Sequence, residues 1–292
     1  MTPALKGTLL MLAGTAFLSG NDAVSKLLTE RYPVGQVVCL RQVASLLVII
    51  PLAMATTGLA ALAPVDKRGQ LWRGLAFLAS AVLMVASLAA LPLAIVSAIA
   101  FSTPLWVGVL AGPLLGEAVP LRRWLAIGLG FAGVLVIIRP GGAAFTLALL
   151  LPVATAIVNA ARDMLTRSLA RTETSIGILL WSALIVIAGS ATTVVAGWKP
   201  VPTGDALLLI INGVLNGVAH FAMIAAFRHA DASAMSLLRY ASLVWAVLLG
   251  WALWAYIPDA WTLVGGLVVV VAAVLSLDQV RMSARRDPGL TR

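Results

Sequence analysis

Long apolar runs separated by short polar breaks dominate the hydrophobic pattern of the chain. A helix that crosses about 30 Å of hydrocarbon needs about 20 residues, and ten runs approach or exceed that length. Their approximate bounds are 6–28, 34–57, 71–90, 93–115, 121–138, 144–166, 175–196, 204–227, 232–256 and 261–279. No stretch alternates with period two, and isolated strands would leave backbone groups unpaired in lipid. We therefore predict an all-α membrane protein with ten transmembrane helices.

Segments 4 and 5 share their layout of apolar run, polar break and apolar run with segments 9 and 10. Shifting the chain by 138 positions without a gap aligns identical residues: Gly112 with Gly250, Pro120 with Pro258 and Gly128 with Gly266. At a shift of 141, charged positions of segments 1 and 6 align: Asp22 with Asp163 and Lys26 with Arg167. This recurrence indicates an internal duplication of a five-segment unit.

An odd number of segments in each unit determines how the two units are oriented. The second unit enters the bilayer from the opposite side, so the halves are predicted to be inverted repeats around a central cavity. We predict a first repeat at 1–139, a linker at 140–143, a second repeat at 144–280 and a basic cytoplasmic tail at 281–292. Inverted repeats are typical of secondary transporters, although some channels also have them. Such transporters bind substrate near the midplane and move it by alternating access.

Composition agrees with an integral membrane protein, since 61% of the 292 residues are apolar and 11% are charged. Soluble domains are roughly a quarter charged. The single cysteine, Cys39, excludes an internal disulfide framework, and two histidines do not suffice for a metal site. The sequence has no glycine-rich phosphate loop, HExxH or GxSxG motif, so no enzyme is predicted. We predict no cofactor and no nucleic acid; the expected partners are a small-molecule substrate and the lipid bilayer.

Basic residues are distributed unevenly between the two sides that ten segments define. The side of the N-terminus carries thirteen: Lys6, Lys67, Arg68, Arg73, Arg122, Arg123, Arg167, Arg171, Arg228, Arg281, Arg285, Arg286 and Arg292. The opposite side carries three: Arg31, Arg139 and Lys199. An excess of Lys and Arg marks the cytoplasmic side, so both termini are predicted to be cytoplasmic in a bacterial inner membrane. This asymmetry also accounts for the net charge of +9.

Segment 8 carries a polar stripe along an otherwise apolar helix. Asn212, Asn216 and His220 recur at i, i+4 and i+8, which places them on one face. Polar groups facing lipid are costly, so the stripe is predicted to face a substrate pathway. The alternative is that these side chains only hydrogen-bond neighbouring helices. Segment 3 carries a milder stripe, formed by Ser80, Met84 and Ser87. It is predicted to oppose the segment 8 stripe across the cavity, and the alternative is that these residues only pack against neighbouring helices.

Charged side chains inside the segments form a second set of candidates. Asp22 and Lys26 are four residues apart on segment 1, a spacing that favours an ion pair, and Arg41 of segment 2 is a candidate third member of this charge network. Arg239 is a candidate substrate contact. For both arginines the alternative is snorkelling of the guanidinium to the nearer interface. Asn159 of segment 6 carries the same ambiguity between pathway and packing.

Aromatic and proline positions complete the candidate set. Phe101 and Trp181 lie away from segment ends and are candidates for an apolar substrate wall, with a lipid-facing or core position as the alternative. Segment 4 contains Pro104 and Pro113, and a proline removes one intrahelical hydrogen bond and kinks the axis. Segment 4 is therefore predicted to bend during transport.

Several stretches of the first half resemble a known family. Residues 94–104 (AIVSAIAFSTP), 114–117 (LLGE), 122–124 (RRW) and 130–134 (GFAGV) are similar to the fourth and fifth helices of EamA-type domains, in the drug/metabolite transporter superfamily. Arg41 and Lys26 match residues that these domains often carry. The second half departs from the pattern at Trp254 and Ala255, which stand where the first has Gly116 and Glu117.

The resemblance implies two tandem domains in a ten-helix bundle, with the first four helices of each half around the cavity and the fifth and tenth outside. A narrower resemblance to YddG-type amino-acid exporters implies export of amino acids, including aromatic or hydrophobic ones. The alternatives are a drug, metabolite or nucleotide-type permease of the same superfamily, a membrane-embedded enzyme and a structural membrane protein. Proton coupling through His220, Asp22 or Lys26 and facilitated diffusion both remain open.

Overall fold

The computed structural model describes residues 3–56, 58, 63–103, 105–107, 109–110, 121–139, 146–169, 172–226 and 241–286. Across these residues the chain is all-α, with no strand among them, as predicted. The helices are α1 (Pro3–Thr29), α2 (Val34–Thr56), α3 (Lys67–Ala90), α4 (Leu93–Ala100), α5 (Leu121–Ile138), α6 (Leu150–Leu169), α7 (Ser175–Ala191), α8 (Thr203–Ala226), α9 (Ala241–Trp254) and α10 (Ala260–Arg286). Two short 3₁₀ helices, Leu147–Leu149 and Thr192–Ala196, precede α6 and follow α7.

Within the described parts of the chain, five helical stretches are long and apolar enough to cross a membrane: Val34–Thr56, Lys67–Ala90, Leu147–Thr166, Ser175–Ala196 and Thr203–Met223. Shorter apolar helices include Ile127–Ile138 and Ala241–Trp254. Large apolar side chains project outward along the helices; Leu47 is 60% exposed and Met54 and Leu267 are each 64% exposed. A soluble protein rarely exposes such a continuous apolar surface, which fits contact with lipid.

The helix pairs with extensive contacts define a centre and a periphery. α1 packs along α8, and α3 packs along α6. α2 contacts both α7 and α8, and α3 also contacts α7. α5 and α10 pack mainly on each other, and α9 contacts α1 and α4. The centre is therefore built from α1, α2, α3, α6, α7 and α8.

Local sequence signals set where the helices begin and end. Asp66 caps α3, since its Oδ1 accepts from the Gly69 amide at 2.9 Å, and Thr174 caps α7 by accepting from Gly177 at 3.0 Å. α3 ends just before Pro92, which has no amide hydrogen to continue the helix. These ends determine which polar residues lie deep in the bundle and which lie near its two faces.

Candidate functional site

A buried polar cluster, here called the Arg41 cluster, joins α1, α2 and α8. Its members are Asn21 and Ser25 of α1, Arg41 of α2 and Asn212 of α8. The Asn21 amide donates to the Asn212 backbone oxygen at 2.9 Å and also to its side-chain oxygen. Asn212 donates to Ser25 Oγ at 3.1 Å. Arg41 Nη1 donates to Ser25 Oγ at 3.3 Å and to Asn21 Oδ1 at 3.4 Å.

The Arg41 cluster is almost fully out of contact with solvent, since Arg41 is 5% exposed and Asn212 is 0% exposed. Burying a charge is costly unless hydrogen bonds and an opposite charge compensate for it. Asp22 lies close enough to interact electrostatically with Arg41. The sequence pointed to Arg41 and Asn212 but missed Asn21 and Ser25, whose i, i+4 spacing on α1 was the available signal.

A crevice lies next to this cluster, between α2, α3, α7 and α8. It is narrow, with a volume of about 10 Å³, and is lined by Gln42, Ile49, Phe77, Leu179, Asn216, Gly217 and His220. The rings of Phe77 and His220 are T-shaped, with centroids 6.3 Å apart. Gln42 Oε1 is buried with no hydrogen-bond partner among the described residues. The structure thus brings Asn216 and His220 to one wall, while Asn212 lies one turn away in the Arg41 cluster.

A second buried polar cluster, here called the Arg73 cluster, joins α3, α6 and α7. Arg73 Nε donates to Thr166 Oγ1 at 3.2 Å, and Arg73 Nη1 donates to the Ile178 backbone oxygen at 3.1 Å and to Ser182 Oγ. The guanidinium carbons of Arg73 and Arg162 lie 5.6 Å and 5.5 Å from the centroid of the Phe77 ring. The remaining member is Asp163, whose carboxylate pairs with Arg162 at 3.2 Å.

Arg73 is a correction to the sequence analysis. The charge count placed it with the basic residues of the cytoplasmic face, but its side chain is 7% exposed and lies within the bundle. The long aliphatic stem of Arg73 carries the guanidinium inward from the first turns of α3. A residue near a predicted segment end therefore has its charge well inside the bundle. Proximity to a segment end was therefore not evidence of exposure.

Lys26 does not form the predicted ion pair with Asp22, although both residues belong to the described part of the chain. Lys26 Nζ donates to the backbone oxygens of Leu88 at 2.7 Å and Leu91 at 2.9 Å, and it lies 5.6 Å from the Trp254 ring centroid. The Leu88 oxygen would accept from residue 92 in a continuous helix, but Pro92 has no amide hydrogen. Lys26 thus satisfies the carbonyl end of α3, where a positive charge is also favoured.

Replacing Lys26 with methionine should lower the free energy of unfolding by about 1.5–3 kcal/mol, the range for hydrogen bonds that involve a charged group. Lys26→Arg should retain most of the stability because arginine keeps both the charge and the donors. Thermal unfolding of the two variants in detergent measures the difference. Equal melting temperatures for Lys26→Met and the parent protein would show that the two carbonyl contacts contribute nothing.

The remaining predicted site residues that the structure describes are not among those that line the crevice. Ser80 and Ser87 donate within α3, to the Phe77 and Leu83 oxygens, and neither is among the residues that line the crevice. Met84 and Phe101 pack against an apolar cluster that contains Leu88, Leu91 and Leu93. Trp181 is partly buried on α7, and Asn159 of α6 has a buried Oδ1 without a partner among the described residues. Arg239, Pro104 and Pro113 lie outside the described residues.

The face of the bundle where α1 ends and α8 begins is held together by polar contacts. Asp205 accepts from Arg31 Nη1 at 2.7 Å and from Tyr32 Oη at 2.5 Å. The hydrogen bond to Asp205 raises the pKa of the Tyr32 phenol above its usual value. Gln36 Nε2 donates to the Lys199 backbone oxygen at 2.7 Å. These contacts tie the α1–α2 loop to the start of α8.

Comparison with known proteins identifies the family. The EamA-like transporter family matches residues 5–139. A riboflavin transporter of Rhizobium johnstonii is 30% identical over 205 residues, which cover 70% of this chain and 68% of that protein. An S-adenosylmethionine uptake transporter of Rickettsia bellii is 27% identical, with 88% of each chain covered. The pseudopaline exporter CntI of Pseudomonas aeruginosa is 24% identical, with 92% of this chain and 94% of that protein covered.

A solved crystal structure shares the fold, with a TM-score of 0.66 and 20% sequence identity over 96% of this chain and 98% of the other. The family match and the transporters similar to this chain agree with its apolar helices and with the buried polar residues at its centre. The chain belongs to the EamA-like transporter family of the drug/metabolite transporter superfamily, and it is a multi-pass membrane transporter and not an enzyme.

Proposed function

We propose that the protein is a secondary transporter that moves a small organic metabolite through the crevice between α2, α3, α7 and α8 by alternating access. The observation that carries this proposal is the crevice itself, where Gln42, Asn216 and His220 meet inside a bundle of apolar helices. Polar side chains at such depth are costly unless they serve a pathway or bond to one another. Gln42 keeps an unpartnered buried oxygen among the described residues, which supports a pathway over packing alone.

Two matching sets of helix contacts support the inverted duplication on which alternating access depends. A Cβ on Gly213 of α8 would lie 2.3 Å from Ala44 Cβ on α2, and one on Gly74 of α3 would lie 2.3 Å from Ile185 Cδ1 on α7. Ile185 is 141 positions after Ala44, and Gly74 is 139 positions before Gly213.

One turn further along, the same two helix pairs are again in close contact. In the α3–α7 pair the glycine now lies on α7 instead of α3. A Cβ on Gly217 of α8 would lie 2.8 Å from Val48 Cβ on α2, and one on Gly189 of α7 would lie 2.2 Å from Leu78 Cδ2 on α3. Gly189 is 141 positions after Val48, and Leu78 is 139 positions before Gly217. The α2–α8 and α7–α3 contacts therefore correspond in register, as expected of two inverted five-helix halves that together span the membrane ten times.

The distribution of basic residues supports an orientation. Without the buried Arg73, twelve arginines and lysines on the side of the N-terminus, against three on the other, favour cytoplasmic termini. The similar transporters come from bacteria, which favours the bacterial inner membrane as the location. In this orientation the Arg31–Asp205 face is extracytoplasmic.

For the substrate we propose amino acids, aromatic or hydrophobic ones included, with export as the direction. The Phe77 and His220 rings in the crevice suit a substrate with an aromatic or apolar part. The names of the similar proteins favour a second candidate, a larger metabolite such as riboflavin or S-adenosylmethionine, and include both uptake and export. Initial rates in proteoliposomes with tryptophan, phenylalanine, leucine, riboflavin and S-adenosylmethionine separate the two candidates.

Replacing Asn216 or His220 with leucine should lower the initial flux of the transported compound by more than tenfold, since each removes a polar group from the crevice wall. Proteoliposome flux measures this, and the control is Ile210→Leu on the outward face of α8, where Ile210 is 45% exposed. Unchanged flux in both leucine variants would remove the crevice as the pathway.

An imposed pH gradient tests proton coupling in the same vesicles: a changed initial rate supports coupling and an unchanged rate supports facilitated diffusion.

A further inference from the structure

The two buried arginine clusters are made of corresponding positions of the two halves. The α1 and α2 residues of the Arg41 cluster correspond to α6 and α7 residues of the Arg73 cluster whose numbers are 141 higher. The pairs are Asn21 with Arg162, Ser25 with Thr166 and Arg41 with Ser182. Subtracting 139 from the α8 member gives the α3 member: Asn212 with Arg73. The aspartates beside the arginines also correspond at 141: Asp22 with Asp163.

The central hydrogen bond of each cluster is the same although the arginine has a different origin. Arg41 of α2 donates to the α1 hydroxyl of Ser25 at 3.3 Å. Arg73 of α3 donates to the α6 hydroxyl of Thr166 at 3.2 Å. Since α3 corresponds to α8 and not to α2, the two arginines come from non-corresponding helices, both in the first half, and each still forms an arginine–hydroxyl bond at the equivalent place.

The clusters lie toward opposite faces of the bundle. Arg41 and Ser182 each lie seven residues after the first residue of their helix, Val34 in α2 and Ser175 in α7. α2 begins at the face of the Arg31–Asp205 pair, whereas α7 begins at the face where Glu173 Oε1 accepts from the Asp66 amide at 2.8 Å. One turn inward from each cluster, the next residue on the same helix face lines the crevice: Asn216 follows Asn212, and Phe77 follows Arg73.

We propose that the two clusters are the gates of the transporter, each closing the pathway toward its own face of the bundle, and that Arg41 and Arg73 are the central gating residues. This inference rests on the proposed transport function and deepens it. Opening one end separates α1 from α8, or α3 from α6, and breaks the hydrogen bonds of one arginine cluster. Water that enters the open end hydrates that arginine, so the cost of opening is small and two states of similar free energy are available.

The gates set the balance between the two states because each cluster stabilises only the state in which its own end is closed. Weakening the Arg41 cluster should favour the state open at the Arg31–Asp205 face. Weakening the Arg73 cluster should favour the state open at the Asp66–Glu173 face. Losing one hydrogen bond to a buried charged group should shift the ratio of the two populations by about tenfold.

Matched removal of one hydroxyl from each cluster tests this, through Ser25→Ala and Thr166→Val. The reporter is a single cysteine in place of Asn216, which lines the crevice one turn inward from the Arg41 cluster, on a background in which Cys39 is replaced by serine. Its labelling rate with a membrane-impermeant maleimide is measured in membrane vesicles of each orientation. The controls are Thr15→Val and Thr155→Val on the same two helices, because both hydroxyls donate only within their own helix, to Leu12 and Leu151.

Ser25→Ala should raise the ratio of labelling from the Arg31–Asp205 face to labelling from the Asp66–Glu173 face by about tenfold, and Thr166→Val should lower it by about tenfold. The two controls should leave the ratio within twofold of the parent. A shift in the same direction for both cluster variants, or shifts no larger than in the controls, would overturn the gate assignment. The labelling needs no substrate, so a negative labelling result overturns the gate assignment and leaves the transport proposal standing. Absent flux for every compound in the panel would count against the transport proposal and would leave the labelling result unaffected.

Discussion

Replacing Asn212 with leucine is expected to lower the free energy of unfolding by about 3–5 kcal/mol and to abolish flux. Asn212 is the acceptor for the Asn21 side-chain amide and the donor to Ser25, and both lie beside the buried Arg41. Leucine has a similar volume but no polar atoms. It would remove the bonds that the Asn212 side chain makes to Asn21 and Ser25, leaving the Asn21 amide only the backbone oxygen of residue 212 and Ser25 only Arg41. Each weakened buried group costs about 1–3 kcal/mol.

Thermal unfolding in detergent, followed by tryptophan fluorescence, measures the effect of Asn212→Leu. A loss of about 3 kcal/mol corresponds to a fall of roughly 5–10 °C for a protein of this size. The control is Ile211→Leu at the neighbouring position, whose side chain is 39% exposed on the outward surface of α8. A melting temperature equal to that of the control would show that the Arg41 cluster does not hold α1, α2 and α8 together.

Gly213→Ala is expected to be the most disruptive single methyl group on α8. The added Cβ would lie 2.3 Å from Ala44 Cβ, 2.5 Å from the Arg41 backbone oxygen and 2.7 Å from the Ala44 carbonyl carbon. Backbone atoms cannot rotate away as a side chain does, so α2 and α8 must separate. Overpacking of this kind costs about 1–3 kcal/mol or more, and here it also displaces Arg41.

The same detergent assay tests this glycine, with Gly204→Ala as the matched control on α8. A Cβ on Gly204 would meet no atom within 4 Å, so the control should melt like the parent protein. Gly213→Ala should melt at least about 5 °C lower and yield less folded protein. Equal melting temperatures for the two alanine variants would contradict the close α2–α8 contact.

The helices were predictable because their signal is local. Apolar runs bounded by turn residues placed α2 at 34–57, against Val34–Thr56 in the structure, and α7 at 175–196, which the structure divides into Ser175–Ala191 and a 3₁₀ turn to Ala196. The polar stripe of α8 was equally visible, since one helix alone defines its face. The structure directs that stripe inward, with Asn212 and Asn216 at 0% and 5% exposure.

The partners of the charged residues were not predictable from spacing. Lys26 has Asp22 at an i−4 position, but it bonds carbonyls 62 and 65 residues away, at a helix end created by Pro92. Arg73 has no acidic neighbour on α3 and finds neutral partners on α6 and α7. Such contacts depend on which helices are adjacent, and a hydrophobic pattern defines faces but not neighbours.

The proposed duplication has a signal in the sequence at two offsets, whereas the correspondence between the polar clusters has none. Ser182 does not resemble Arg41, and Arg73 does not resemble Asn212, so no residue-by-residue comparison indicates that they occupy equivalent places. Only the hydrogen bonds to Ser25 and Thr166 reveal the relation. The chemistry of the cluster is retained while the helix that supplies the arginine differs.

The most direct test of a crevice that opens alternately to both faces is the reactivity of a single cysteine at position 216. In the Cys39→Ser background, Asn216→Cys should react with a membrane-impermeant thiol reagent applied from either face of the membrane. A cysteine in place of Ile210, on the outward face of the same helix, should react only with a lipid-soluble reagent. If Asn216→Cys reacted from one face alone, or only with the lipid-soluble reagent, the crevice would not be an alternating pathway.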